Sequence, residues 1–197
     1  MLKPMLLVYL FLFYGVAFIW PSYRTWKTTG INPYRLNKEE GIRGFLAKIY
    51  RLVSIGVAGT ILIYVFAGDL YMYLTPIEWL STRYVMVIGL ILLLASFLWI
   101  VLAQRQMGSS WRIGIDDEHE TELVVKGVFG ISRNPIFLGM RLNLAGLFLV
   151  LPNAVTLTLW VLGDVSLQMQ VLLEEEYLKH LHGDVYVRYL SLVRRWI

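Results

Sequence analysis

Residues 84–103 form an uninterrupted stretch without a single charged side chain, and no other feature constrains the fold as strongly. At about 1.5 Å per residue, a helix of this length crosses a hydrocarbon core of roughly 30 Å. Backbone groups in lipid must find partners inside the chain, so a spanning segment is either a helix or part of a closed barrel. Four more apolar stretches, at residues 5–20, 52–68, 136–151 and 154–173, have helical rather than alternating character. The chain is 57% hydrophobic and only 16% charged, the profile of a polytopic membrane protein. The predicted fold is therefore all-α and integral to the membrane, with five transmembrane helices in one structural domain. Residues 1–103 carry three of them and a basic loop, and residues 104–197 carry the other two and most of the chemistry.

Lys and Arg set the orientation, because short loops rich in them stay cytoplasmic. Arg24, Lys27, Arg35, Lys38, Arg43, Lys48 and Arg51 lie between the first two spans, while Arg105, Arg112, Lys126 and Arg133 follow the third. Lys179, Arg188, Arg194 and Arg195 follow the fifth. The expected topology is N-out and C-in, with the chemistry facing the cytoplasm. That means the plasma membrane of a prokaryote or the endoplasmic reticulum of a eukaryote. Lys3 before the first apolar stretch is reminiscent of a signal peptide, but the far flank, Trp20-Pro-Ser-Tyr-Arg, lacks small residues for cleavage. The net charge of +4 is accounted for by loops facing anionic lipid, and it is no nucleic-acid signature. Without cysteine, disulfides, thiolate metal sites and cysteine nucleophiles drop out.

Pro152-Asn153 is a turn signal inside an apolar stretch, and antiparallel helices pair residues symmetric about such a turn. Counting outward sets Arg141 level with Asp164, Phe137 with Gln168, Pro135 with Gln170 and Ile131 with Glu174. Two polar clusters, residues 127–139 and 174–178, then share one membrane face. Arg141, Asp164 and Gln168 are costly within spans. The register pairs the first two as mutual counter-ions, although a substrate phosphate or carboxylate would compete for Arg141. Asp164, Gln168 and Glu175 share one helical face, and Gln170 and Glu174 another, so this span borders a cavity.

Glu174-Glu-Glu176 reads as a helix end, where negative charge opposes the macrodipole and needs a partner. Alternation from Thr121 to Phe129 suggests an extended, strand-like segment lining a cytoplasmic pocket. Residues 177–196 place apolar side chains at helical spacing, an amphipathic helix broken at Gly183. His119, His180 and His182 lack metal-ligand spacing, so no metal site is expected. Gly127-Val-Phe-Gly130 is too short for a dinucleotide or phosphate loop.

Taken together, Leu123-Val-x-x-Gly127-x-Phe129-x-x-x-Arg133-Asn134-Pro135-x-Phe137-x-Gly139 and Glu174-Glu175-x-x-Leu178-x-x-x-His182-Gly183-x-x-Tyr186-x-x-Tyr189 resemble the isoprenylcysteine carboxyl methyltransferases and the related phospholipid N-methyltransferases. The resemblance covers residues 104 to 197. It implies a membrane enzyme that binds S-adenosylmethionine in a cytoplasmic pocket formed by the last two spans, the 104–134 loop and the final helix. It would methylate a lipid-like or prenylated acceptor entering from the bilayer. Carried over by position, Thr121, Glu122, Leu123, Val124, Phe129, Asn134, Pro135, Ile136, Phe137 and Glu174 line the cofactor. Arg133, Asn134 and Glu175 are the implied catalytic residues, with Gln170, Arg141 and Asp164 on the substrate side.

The pattern departs where Asn134 replaces a usual His, where Phe129 and Phe137 replace Tyr, and where Gln170 stands in place of an Arg one turn before the first Glu. Asn before this Pro is a feature of the phospholipid N-methyltransferase branch. An amide cannot replace a guanidinium fork facing a buried carboxylate, so carboxylate and amine acceptors both stay open. An amine would lose its proton to water or to a carboxylate, with Glu175 or Asp164 as candidates. Two other classes compete: an NADPH-dependent membrane enone or sterol-type reductase, which the acidic 116–120 loop disfavours, and a non-enzymatic membrane scaffold.

Overall fold

The computed structural model describes residues 2–34, 41–114 and 122–197. Among the described residues the protein is helical, with two isolated bridges, Tyr34 to Ile113 and Pro76 to Asn153, and no strand. The elements are α1 (Leu2–Thr29), α2 (Gly41–Phe66), α3 (Arg83–Met107), α4 (Pro135–Val150), α5 (Ala154–His182) and a short α6 (Asp184–Leu192).

Four of these, α1, α2, α3 and α5, are long and apolar enough to cross a membrane. The expectation of five spans therefore holds for four, and the remaining stretch is a shorter apolar helix. At 16 residues, α4 rises about 24 Å, less than a full hydrocarbon core. Proline limits it at both ends: Pro135 opens the first turn, where its missing N–H costs nothing, and Pro152 follows the end. The outer faces are apolar, as lipid contact requires: Phe11, Ile55, Phe66 and Ile91 are all exposed. Exposed aromatics band both ends, Trp20, Tyr23 and Trp26 at one and Tyr73, Trp79 and Tyr84 at the other.

The closest helix pair is α3 with α4. A Cβ built on Gly89 would lie 2.8 Å from both the Gly146 carbonyl and the Val150 amide. Small residues let backbones approach where lipid removes the hydrophobic driving force. A buried polar node reinforces the contact: Asn143 donates to the Ser96 hydroxyl at 3.2 Å and also meets the Tyr9 hydroxyl. Within α1, a π-turn at Gly15–Ile19 alters the carbonyl pattern, and Gln104 donates to the Ala17 carbonyl at 2.5 Å.

The α4–α5 hairpin closes at Pro152-Asn153 as its turn chemistry predicts. Asn153 caps α5, accepting from the Thr156 amide at 2.9 Å while Thr156 Oγ1 accepts from the Asn153 amide at 3.3 Å.

Two local expectations change. No strand forms between residues 122 and 130; instead residues 127–130 make a 3-10 turn, with Gly127 at φ +64°. Among the described residues no second strand pairs with the segment, and side chains meet its backbone instead: Gln106 accepts from the Val128 amide at 2.8 Å and Ser110 donates to the Glu122 carbonyl at 3.4 Å. Glu174–Glu176 does not end a helix either, because α5 continues to His182 before breaking at Gly183, φ +52°.

Candidate active site

A cavity of about 820 Å³ opens among α1, α2, α4 and α5 and the segment just after α3, within the usual size range of small-molecule sites. Its shaft is apolar, lined by Phe13, Val53, Val57, Leu144 and Leu167. Its polar end carries Arg51, Arg112, Gln170 and Glu174. Ile136 and Phe137, from the first turn of α4, complete that end.

Gln170 is the most informative of these side chains. It is 3% exposed, and its Oε1 accepts no hydrogen bond from any described group. An unmet buried acceptor costs about 1–3 kcal/mol, so a water or a ligand donor belongs beside it. Glu174 lies one turn further along the same face of α5. An acceptor oxygen and a carboxylate beside two guanidinium groups suit a ligand that carries both an N–H donor and an anionic group. S-adenosylmethionine, with its amino group and carboxylate, has that character, and an apolar and aromatic wall suits the rest of it.

Just behind this wall lies a second cluster. Arg133 donates from Nε and Nη2 to Glu175 Oε1 at 3.2 Å each, and Asn134 Nδ2 donates to the same oxygen at 3.0 Å. Arg195 grips the other oxygen, Nη2 to Oε2 at 2.8 Å. The implied catalytic trio is thus brought together, but as a saturated ion cluster that does not line the cavity.

Arg141 and Asp164 pair as the hairpin count requires, Nε to Oδ1 at 2.5 Å. Gln168 donates to Asp164 Oδ2 at 2.7 Å, and the Trp196 ring lies 4.3 Å from the Arg141 guanidinium. This group also lies outside the cavity lining.

Of the cofactor residues read from sequence, Ile136, Phe137 and Glu174 line the cavity. Phe129 is buried with Val128, Trp111 and Ile136 in the packing behind it, with Val124 against them, and Pro135 is fully buried. Leu123 is half-buried and Glu122 exposed. Thr121, His119 and the acidic 116–120 loop lie outside the described residues. Among the described residues no cluster of metal-ligating side chains occurs.

Sequence reasoning missed Asn143, which reaches the deep end of the cavity. The signal was present: an amide within an apolar helix needs a partner or a role. It also missed the walls from α1 and α2, where nothing in the local pattern distinguishes a cavity-lining aromatic from one facing lipid.

The phospholipid methyltransferase family matches residues 84–185, just over half of the chain, from α3 to the start of α6. The chain belongs to the phospholipid methyltransferase family. No curated protein matches it. Membership makes the protein a membrane methyltransferase, and it disfavours the reductase reading. The matched span contains Ile136, Phe137, Gln170 and Glu174, whereas the α1 and α2 walls and Arg195 fall outside it.

Proposed function

We propose that this protein transfers a methyl group from S-adenosylmethionine to the headgroup amine of a phospholipid entering from the bilayer, at a site facing the cytoplasm. The observation that carries the reading is the cavity itself, polar at the Gln170–Glu174 end and apolar along its shaft. When bound there, S-adenosylmethionine supplies an electrophilic methyl group. Gln170 and Glu174 accept hydrogen bonds from the donor's amino group and balance its positive charge. Ile136 and Phe137 hold its apolar surface, and the apolar shaft disfavours water beside the reacting atoms.

The acceptor's chain suits the shaft. Ile19 and Ile55, on the cavity's rim, are 67% and 70% exposed on the lipid side, which supports entry between α1 and α2. Arg51 and Arg112 at the polar end suit a phosphate. The engagement of two arginines favours an amine over a carboxylate. Arg133 is engaged by Glu175 and Arg141 by Asp164, so neither compensates for the Arg that Gln170 replaces. Neither Glu175 nor Asp164 lines the cavity, so the amine enters neutral or gives its proton to water at the mouth or to Glu174, the carboxylate in the lining. The basic residues Arg24 and Lys27 in the last turns of α1 and Arg43 and Lys48 in the first turns of α2 lie at the cavity's polar end of the bundle, which supports a cytoplasmic site.

The test is incubation with methyl-labelled S-adenosylmethionine and vesicles containing a phospholipid with a primary-amine headgroup. Label that stays non-volatile after base, attached to the amine headgroup, is expected. Base-labile label, released as methanol, would instead indicate a methyl ester and contradict the amine acceptor. Calorimetry in detergent provides the cofactor arm: binding of NADPH and not of S-adenosylmethionine would overturn the methyltransferase reading of this cavity.

A further inference from the structure

Beyond α6, residues 193–196 fold back against the start of α4, where Ser132, Arg133 and Asn134 hold them by hydrogen bonds. The Arg133 amide donates to the Arg194 carbonyl at 3.0 Å, and Arg133 Nη1 donates to the carbonyls of Val193 at 2.6 Å and Leu190 at 3.2 Å. Ser132 Oγ donates to the Arg195 carbonyl at 3.2 Å, and Asn134 Nδ2 reaches the same carbonyl at 3.4 Å. From this strap Arg195 sends its guanidinium to Glu175 on α5. The next residue, Trp196, lies against Arg141 of the α4–α5 ion pair. The strap therefore contacts both helices of the hairpin, and the family match ends before it.

We propose that Arg195 is a positioning residue: by clasping Glu175 it fixes the rotation of α5, so that Glu174 and Gln170 face the cavity. Successive helical residues are about 100° apart, so Glu175 points to the clasp while Glu174 points to the site. Gln170 lies one turn before Glu174 and follows it. Over its apolar length α5 is oriented by a buried stripe of Leu159, Gly163, Leu167 and Val171 and by the Arg141–Asp164 pair. Val161, Val165, Met169 and Leu172 are exposed on the lipid side, where lipid supplies little penalty for turning one apolar face in place of another. The charged clasp holds the rotation further along, beside Gln170 and Glu174. The aligned fork of Arg195 on a carboxylate restricts direction as well as distance.

The inference rests on the cofactor reading and is tested with it. Affinity for S-adenosylmethionine is measured by calorimetry in detergent for the wild type, Arg195→Ala, Arg195→Lys and Glu175→Gln, alongside kcat, KM and thermal midpoints. Outer-shell partners that aim a binding group typically change affinity by about 10- to 100-fold, and a weakening at the low end of that range is expected for Arg195→Ala. Arg195→Lys should fall between, since an ammonium lacks the fork. The loss should appear in cofactor KM more than in kcat, and Arg195→Ala with Glu175→Gln combined should be no worse than either alone. If Arg195→Ala does not fold, Glu175→Gln and Arg195→Lys carry the comparison. A lowered midpoint with wild-type affinity in these variants would overturn the proposal and leave the clasp purely structural. A wild type that binds no S-adenosylmethionine would overturn the cofactor reading and the proposal with it, a distinct result.

Discussion

Arg141 and Asp164 show how much a membrane interior constrains a single side chain. Each is intolerable alone in lipid, and together they close the hairpin with a 2.5 Å contact. Arg141→Ala and Asp164→Ala should each destabilise the protein in detergent unfolding, and the double variant should fall short of their sum by on the order of 1 kcal/mol. Strict additivity would mean that the pair is not coupled. Tyr189 is a second case, outside the spans. Its hydroxyl donates to the Phe129 carbonyl, and burial, aided by the negative charge of Glu175 and opposed by Arg133, pushes its pKa from 10.0 up to about 12. The folded state thus holds the phenol proton more tightly than the unfolded chain. That stabilisation is complete below pH 10.0 and is lost as pH rises toward about 12. Tyr189→Phe should flatten the alkaline limb of a stability-versus-pH curve, and an unchanged limb would count against the burial of this phenol.

At the scale of helices, the apolar stretches locate the elements well, because a charge-free run in lipid has few alternatives to a helix. The turn at Pro152-Asn153, the Arg141–Asp164 register and the break at Gly183 are legible for similar reasons: each rests on local stereochemistry or on the cost of a lone charge. Which helices pack most closely was not legible from hydropathy. The hairpin count favours α4 with α5, whereas the tightest approach is α3 against α4 through Gly89 and Gly146. Gly89→Val should therefore destabilise by about 1–3 kcal/mol or more, as overpacking does. Gly59→Ala, in α2 with nothing within 4 Å of its added Cβ, should be neutral or stabilising by up to about 1 kcal/mol. Detergent unfolding midpoints of the two variants check the contrast, and equal effects would contradict the close α3–α4 contact.

The whole molecule explains why the chemistry is only half visible in the sequence. Two motifs in the second half of the chain identify the family, and the cavity beside them takes its remaining walls from α1 and α2, whose residues carry no motif. Glu175 is the sharpest example. Beside Glu174 in sequence, it points instead into a saturated cluster with Arg133, Asn134 and Arg195, and a sequence pattern alone does not divide these roles. On the proposed function, binding energy for the donor rests on Gln170 and Glu174. Hydrogen bonds to charged groups contribute about 1.5–3 kcal/mol, equivalent to about 10- to 100-fold in affinity. The direct measurement is calorimetric titration of the detergent-solubilised protein with S-adenosylmethionine, comparing the wild type with Glu174→Gln. A loss of affinity of at least about tenfold in the variant is expected from such a bond; wild-type affinity in Glu174→Gln would contradict a donor site at the Gln170–Glu174 end of the cavity.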